Sequence, residues 1–386
     1  MAQPAAIPAI KTQTRLRTTK PGVWLLGFGI SIVLMLLWVQ RDRVLTGRND
    51  FIQLWVSAKL VGTPQLYDFE VNRRIQIETL AATMENVVPS RPPFYAVLLK
   101  PLSWLPYTTA FLLFQIVSVA CLCGFVWLNR ARAPEIGLFC CFSLPVIATL
   151  ANGQDLAIVI FVLTCAQLKF EKREDSVGGL LLSLCAIKFH LLLLVPLVPL
   201  IHRRWRVLAG GAAGTAAFVA LSYLGQGRHW VSEYLAVLRN PILNPGADIM
   251  PNLHGAFATL GGSRNLELAA CCAVAVLVAW LAWRARDFEV AFAYALIGSL
   301  LVSFHAYVHD ALLLLPVLVI LLTKAAPKAV RHIMLISVLP PVHLLLLAGT
   351  PYSIACPLLM LAILTAAGYS SVFNAPREQT TRFSAS

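Results

Sequence analysis

Long apolar runs separated by short polar connections fill the chain from residue 22 to residue 371. "GVWLLGFGISIVLMLLWV" (22–39), "LELAACCAVAVLVAWLAW" (266–283) and "IMLISVLPPVHLLLLAG" (333–349) each approach the ~20 residues that carry a helix across a ~30 Å hydrocarbon core. The pattern predicts an all-α polytopic membrane protein. Full spans are expected over residues 22–40, 106–129, 134–151, 154–169, 207–225, 266–284, 288–304, 310–323, 331–348 and 353–371, which makes ten. The first run lacks a small-residue cleavage site and follows Lys11, Arg15, Arg17 and Lys20. It reads as an uncleaved first span behind a cytoplasmic tail.

One run resists a single crossing. Residues 178–201 carry Lys188 and His190 at their centre and basic residues at both ends. A charge at that depth costs roughly 2.5–3.5 kcal/mol. Two short helical legs meeting near Lys188, as a re-entrant pair, satisfy both facts, because broken backbone is tolerated where it is buried in protein or lines a wet cavity. A tilted single span with a snorkelling lysine is the other reading.

Between the first two spans the pattern becomes amphipathic. In "DFIQLWVSAKLV" (50–61), Phe51, Leu54, Trp55, Ala58 and Val61 recur at helical spacing, as expected for a helix lying in the interface plane. "DFEVNRRIQIETLAATME" (68–85) predicts a second amphipathic helix with Asp68 as its N-cap. The prolines of "PSRPPF" (89–94) then impose an extended bend.

Composition agrees with the membrane reading and charge adds an orientation. Of 386 residues 58% are hydrophobic and 13% charged, against about 25% charged in soluble domains. The net charge of +13 would suggest nucleic acid in a soluble protein. Here the basic residues collect in alternate connections, so nucleic acid is not expected as a partner. By the positive-inside rule those connections are cytoplasmic. The domain reading is one transmembrane domain over 1–386, with cytoplasmic tails at 1–21 and 372–386 and large external loops at 41–105 and 226–265. This places a working surface on the external face of a bacterial cytoplasmic membrane. All nine cysteines fall in apolar segments, where they act as small hydrophobes. No Walker loop, dinucleotide fingerprint or zinc-protease motif is present.

The external connections hold the unusual polar residues: Asp50 and Arg91 in the first loop, "NGQD" (152–155), "NLHG" (252–255) and "SFHAYVHD" (303–310). Asp155 suits an N-cap of the next helix, and Asp310 a helix start. His305 and His309, four apart, would share one helical face. That spacing also suits metal ligands.

The order "NDF", "LWVSAKLVGTPQLYD", "SRPPFYAVLLKPLSWLP", "NGQD", "GGLLLSLCAIK", "RRWR", "NLHG", "SFHAYVHD" over about residues 50–316 resembles glycosyltransferase family 87, of the glycosyltransferase C superfamily. That family includes polyprenol-phosphate-mannose-dependent α-1,2-mannosyltransferases. Arg91 stands where the family often has Tyr, Phe189 where it often has Pro after the lysine, and Phe304 where it often has Pro before the histidine. The resemblance implies a polyprenyl-phosphate-linked sugar donor, a lipid or glycan acceptor, contact with membrane lipids, and neither cofactor nor metal. It also implies Asp50 as general base. Its other reading is an N-cap. Lys188 and Arg91 are then candidate contacts of the donor phosphate, His305 a hydrogen-bond or proton partner of phosphate or base, and His309, Gln154 and Asn252 candidate donor contacts. An undecaprenyl-linked glycan polymerase or ligase and a secondary transporter are the alternatives.

Overall fold

The computed structural model describes residues 30–31, 34–35, 38, 41–81, 91–240, 246–324 and 326–373. Most of the expected span at 22–40, the tail at 1–21 and all but the first residues of the tail at 372–386 lie outside them. The described residues form helices and turns with no strand. The helices are α1 (Arg41–Thr46), α2 (Phe51–Leu60), α3 (Phe69–Leu80), α4 (Pro93–Leu99), α5 (Tyr107–Asn129), α6 (Ile136–Phe142), α7 (Leu144–Ala151), α8 (Leu156–Glu171), α9 (Asp175–Leu184) and α10 (Leu197–Ile201). They continue as α11 (Trp205–Gln226), α12 (Trp230–Leu238), α13 (Leu253–Leu260), α14 (Arg264–Arg284), α15 (Phe288–Val302), α16 (Leu314–Thr323), α17 (Lys328–Ser337), α18 (Pro340–Leu347) and α19 (Ala355–Phe373).

Among the described residues, five helices are long and apolar enough to cross a membrane: Tyr107–Asn129, Asp175–Leu192, Trp205–Gln226, Arg264–Arg284 and Tyr352–Val372. A sixth crossing is available if α17 and α18, bent by 53°, act as one. Ten long helices are therefore not what the described residues contain. The reason is local. Ser143 ends α6 and caps α7 by accepting from the Val146 N–H, with Pro145 in the first turn, so residues 134–151 become two short helices. Pro340 and Pro341 break residues 331–348 in the same way, since the residue before a proline leaves the helical region. Around Lys188 the chain tightens into a 3₁₀ segment, Cys185–Leu192, and the Lys188 backbone itself is non-helical (φ −126°, ψ 51°).

The interior is built on α15, whose residues are almost all buried, with α8 and α16 beside it. Helices α5, α11 and α14 pack outside and expose Ile116, Trp127, Leu224, Val276 and Trp283, the apolar faces a bilayer would solvate. The closest helix pair is α9 with α11. A Cβ on Gly179 would run into the Val207 carbonyl, and one on Gly210 into the Ser176 carbonyl. Small residues let backbones approach where no hydrophobic driving force separates helix from lipid. Gly210→Leu is expected to lower stability by about 1–3 kcal/mol or to prevent assembly. Its thermal unfolding in detergent, compared with the wild type, measures this.

Helix α2 corrects one expectation. It does not keep a broad wet face: Phe51, Ile52, Leu54, Trp55, Val56, Ser57, Ala58 and Leu60 are buried, and Lys59 is its exposed residue. A helix buried on nearly every side packs as a core helix. The Phe51 ring packs against Phe114, Phe111 and Tyr107, with centroids 4.8, 5.6 and 5.8 Å away. The Trp55 indole donates to the Leu102 carbonyl at 3.2 Å. Helix α3 fits its expectation better, with the Asp68 carboxylate accepting from the Val71 N–H at 2.9 Å and Phe69 and Ile77 exposed.

The bundle has two chemically different ends. Helix α8 runs from Leu156, just after Asp155, to Glu171, and α15 from Phe288 to Val302, just before Ser303. At the Glu171 end, Arg132 pairs with Glu171, Lys324 with Glu171 (3.7 Å) and Glu289 (3.8 Å), and Arg204 with Asp175. These charges line or border an open polar cavity of about 630 Å³. The other end gathers most of the sequence-predicted site.

Candidate active site

The first element of the site is the turn between α7 and α8. Gly153 has φ +60°, and a Cβ there would meet Asn49 Oδ1 and the Phe51 Cβ, both at 2.8 Å. Glycine alone fits both the left-handed backbone and the close approach. Asn49 reaches back to the same turn, its Nδ2 donating to the Ala151 carbonyl at 3.1 Å. The turn is thereby fastened to the start of α2. Gly153→Ala is expected to cost about 2 kcal/mol in strain and clash and to reduce activity with it. Denaturation midpoints and transfer rates of the purified variant measure both.

Asn49 also decides what Asp50 does. Its Oδ1 accepts from the Phe51 N–H at 3.1 Å, whereas the Asp50 side chain makes no cap hydrogen bond. Asp50 instead accepts from Gln154 Nε2 at 2.7 Å. The N-cap reading of Asp50 is therefore not the one its side chain follows.

Behind this contact lies a buried ion-pair network. Arg91 faces Asp155 with two nitrogens, Nε to Oδ2 at 3.1 Å and Nη2 to Oδ1 at 3.3 Å. Lys188 donates to Asp310 Oδ1 at 2.6 Å and lies 3.7 Å from Asp155 Oδ1. Gln154 Oε1 accepts from Lys188 at 3.3 Å and from Arg91 at 3.4 Å. Arg91 is 10% exposed, Lys188 2%, and both aspartates 0%. Burial alone would weaken the Arg91 guanidinium as a cation, but Asp155 beside it more than restores the charge. Two cations and two carboxylates compensate each other, as buried charges must.

One expectation about the aspartates needs correcting, and the other covers only half of what the side chain does. Asp155 does not cap α8, because its carboxylate is engaged by Arg91 and Lys188. Asp310 does stand at a helix start, in the first turn of the 3₁₀ segment Val308–Leu313, where it forms a capping box with Tyr307. It is fully buried, with Oδ1 on Lys188 and Oδ2 accepting from the Tyr307 N–H at 2.8 Å.

The two histidines do not share a helical face either. His305 precedes the 3₁₀ segment Val308–Leu313, and Tyr307 between them is extended (φ −125°, ψ −179°). His305 lies half-buried in the connection after α15, its ring 5.8 Å from that of His190 and 4.9 Å from that of Tyr307. Burial pushes its imidazole down to about 4, so at neutral pH it is an uncharged hydrogen-bonding group. His309 is buried, with Nε2 3.5 Å from Asp310 Oδ2. Among the described residues no three His, Cys, Asp or Glu side chains converge as metal ligands.

Asn252 is buried and bonded to the backbone around it. Its Oδ1 accepts from the Gly255 N–H and its Nδ2 donates to the Ser303 carbonyl, both at 2.8 Å. It caps α13 and ties that helix to the turn before His305, where Ser303 Oγ donates to the His305 carbonyl at 2.8 Å. Three further polar atoms around the network, Tyr95 Oη, His190 Nε2 and His309 Nδ1, are buried without a hydrogen-bond partner among the described residues. Orphaned groups of this kind mark a place where a ligand or water is expected. Sequence reasoning missed Asn49 and Tyr95; the signal for Asn49 was its place directly before the candidate base.

A family model for glycosyltransferase family 87 matches residues 91–306. The chain belongs to glycosyltransferase family 87. No curated protein and no solved structure matches it. The family-87 match begins at Arg91 and includes Gln154, Asp155, Lys188, Asn252 and His305. Asp50 and Asp310 lie outside it, yet their side chains bond directly to residues within it. A family-87 chain with helices of membrane-spanning length and composition is a multi-pass membrane glycosyltransferase.

Proposed function

We propose that this family-87 protein transfers a hexosyl group, mannosyl first, from a polyprenyl-phosphate donor to a hydroxyl of a lipid or glycan acceptor. The observation that carries the reading is Asp50, a carboxylate joined through Gln154 to the Lys188 and Arg91 cations. Base and cations stand together at one end of the bundle, as inverting transfer from a lipid phosphate requires. The acceptor oxygen attacks the anomeric carbon as Asp50 takes the hydroxyl proton. The bond from that carbon to the phosphate oxygen breaks, its electrons stay with the phosphate, and polyprenyl phosphate leaves. Lys188 and Arg91 share their charge with the leaving phosphate, where negative charge develops. Neutral His305 donates a hydrogen bond to it, His309 Nδ1 borders the donor, and Gln154 stands between the base and the cations. Asn252 acts indirectly, by holding the turn before His305.

The fold we propose is of the glycosyltransferase C type, with ten crossings and a broken, re-entrant segment at Lys188. One transmembrane domain then spans 1–386, both tails are cytoplasmic, and loops 41–105 and 226–265 are external. The basic clusters Arg130 and Arg132, Lys169 to Arg173, and Arg203 to Arg206 support this orientation, because they put the opposite end, with Asp50, outside a bacterial cytoplasmic membrane.

A donor panel tests the reading. Purified protein is given membrane-lipid acceptors with polyprenyl-phosphate-mannose, polyprenyl-phosphate-glucose, a polyprenyl-diphosphate sugar or a nucleotide sugar, each with and without EDTA. Transfer from a monophosphate donor that survives EDTA is the expected result. Transfer only from the diphosphate donor would favour a polymerase or ligase, and transfer only from the nucleotide would overturn the reading.

A further inference from the structure

Gln154 is an uncharged side chain that touches both halves of the network. Its Nε2 donates to Asp50 Oδ2 at 2.7 Å, while Oε1 accepts from Lys188 Nζ at 3.3 Å and Arg91 Nη2 at 3.4 Å. This chemistry fixes the amide's orientation. Turned over, it would aim its NH₂ at two cations and its oxygen at a carboxylate. The backbone is held as firmly: the Gln154 N–H donates to the Thr149 carbonyl at 2.9 Å, and the preceding Gly153 is packed on Asn49 and Phe51. The rigid turn that carries Gln154 is therefore braced against the residues flanking Asp50.

We propose that Gln154 is a positioning residue that orients and keeps ionised the Asp50 carboxylate, linking the base to the cations beside it. The proposal rests on the reading of Asp50 as general base given above. Asn49 Oδ1, not the Asp50 side chain, accepts from the first N–H of α2, and Gln154 reaches the Asp50 carboxylate from 104 residues away. A hydrogen bond to the charged form of an acid favours that form, which is the form a base needs. Tyr107 on α5 interacts with Asp50 directly, and Arg91 and Lys188 face it through Gln154. Lys188 and Arg91 keep Asp310 and Asp155 as partners when Gln154 is replaced, so the network survives the substitution.

Two variants separate the arms of the amide. Gln154→Met keeps the length and removes both arms. Gln154→Glu keeps the acceptor towards the cations and removes the donor towards Asp50. With the donor that supports wild-type transfer, both variants are expected to lose about 100-fold in kcat, the cost of a misplaced catalytic group. The donor KM should stay within about threefold. A Gln154→Glu enzyme with wild-type kcat, or variants altered in donor KM alone, would overturn the proposal and assign Gln154 to the cations.

A second readout does not depend on turnover. A hydrophobic carbodiimide modifies protonated carboxyls, so its labelling of Asp50 at pH 7, followed by peptide mass spectrometry, is expected to rise at least fivefold in both variants. Unchanged labelling would overturn the proposal even if no donor of the panel supports transfer. A wild type inactive with every donor, combined with raised labelling in both variants, would sink the glycosyl-transfer reading while leaving the Gln154 link to Asp50 standing. Thermal unfolding within a few degrees of the wild type serves as the folding control.

Discussion

Asp50→Asn is expected to abolish glycosyl transfer while leaving the fold intact. The asparagine side chain has the same shape, and its Oδ1 still accepts the hydrogen bond from Gln154 Nε2 that Asp50 accepts at 2.7 Å. Asn49 continues to cap α2, and the Phe51 ring keeps its aromatic neighbours. What disappears is the ability to take a proton from the acceptor hydroxyl, a contribution of about 10²–10⁴-fold in rate. Unfolding temperature and donor binding should match the wild type, and transfer should fall by at least that factor. Turnover near the wild-type rate would move the base elsewhere. The obvious substitutes are already occupied, Asp68 by the Val71 N–H and Asp310 by Lys188 and the Tyr307 N–H.

Lys188→Met is expected to give the largest loss of stability. Lys188 is 2% exposed and holds Asp310, itself 0% exposed, at 2.6 Å. Removing one partner of a buried pair leaves an uncompensated charge, at a cost of about 3–5 kcal/mol. Asp155 keeps Arg91, so the damage centres on Asp310. The double variant Lys188→Met with Asp310→Asn removes the stranded charge but keeps an acceptor for the Tyr307 N–H, and should recover more than half of the loss. Denaturation of the two variants and the wild type in one detergent measures the comparison. A single-variant cost below about 1 kcal/mol would mean that Lys188 reaches water and that the pair is not buried as described.

What was legible in the sequence divides along a physical line. Class, most helix positions and the break at Lys188 follow from hydrophobic periodicity and from a charge misplaced in an apolar run, both local signals. The family resemblance was legible too, through the order of its motifs. Helix α2 was misread because only one stripe was weighed. Ile52, Val56 and Leu60 fill its other face, and apolar residues on nearly every side mean burial. The ion-pair partners of Asp155 and Asp310 escaped for a different reason. Each stands at a helix start, where capping is the local expectation, while its partners lie 64 and 122 residues away. Spacing along the chain carries no information about such pairs. The same holds for His305 and His309, whose four-residue spacing implies one face only if the backbone between them is helical, and Tyr307 is extended.

The central claim is transfer from a lipid monophosphate, and a doubly labelled donor tests it most directly. Polyprenyl-phosphate-mannose carrying one isotope in the sugar and another in the polyprenyl chain is incubated with purified protein and membrane-lipid acceptor. The account predicts labelled sugar in a new product and free polyprenyl phosphate in equal amounts, with EDTA present and with neither formed by Asp50→Asn. Sugar and polyprenyl labels that stay together, or sugar transfer undiminished in the variant, would contradict it.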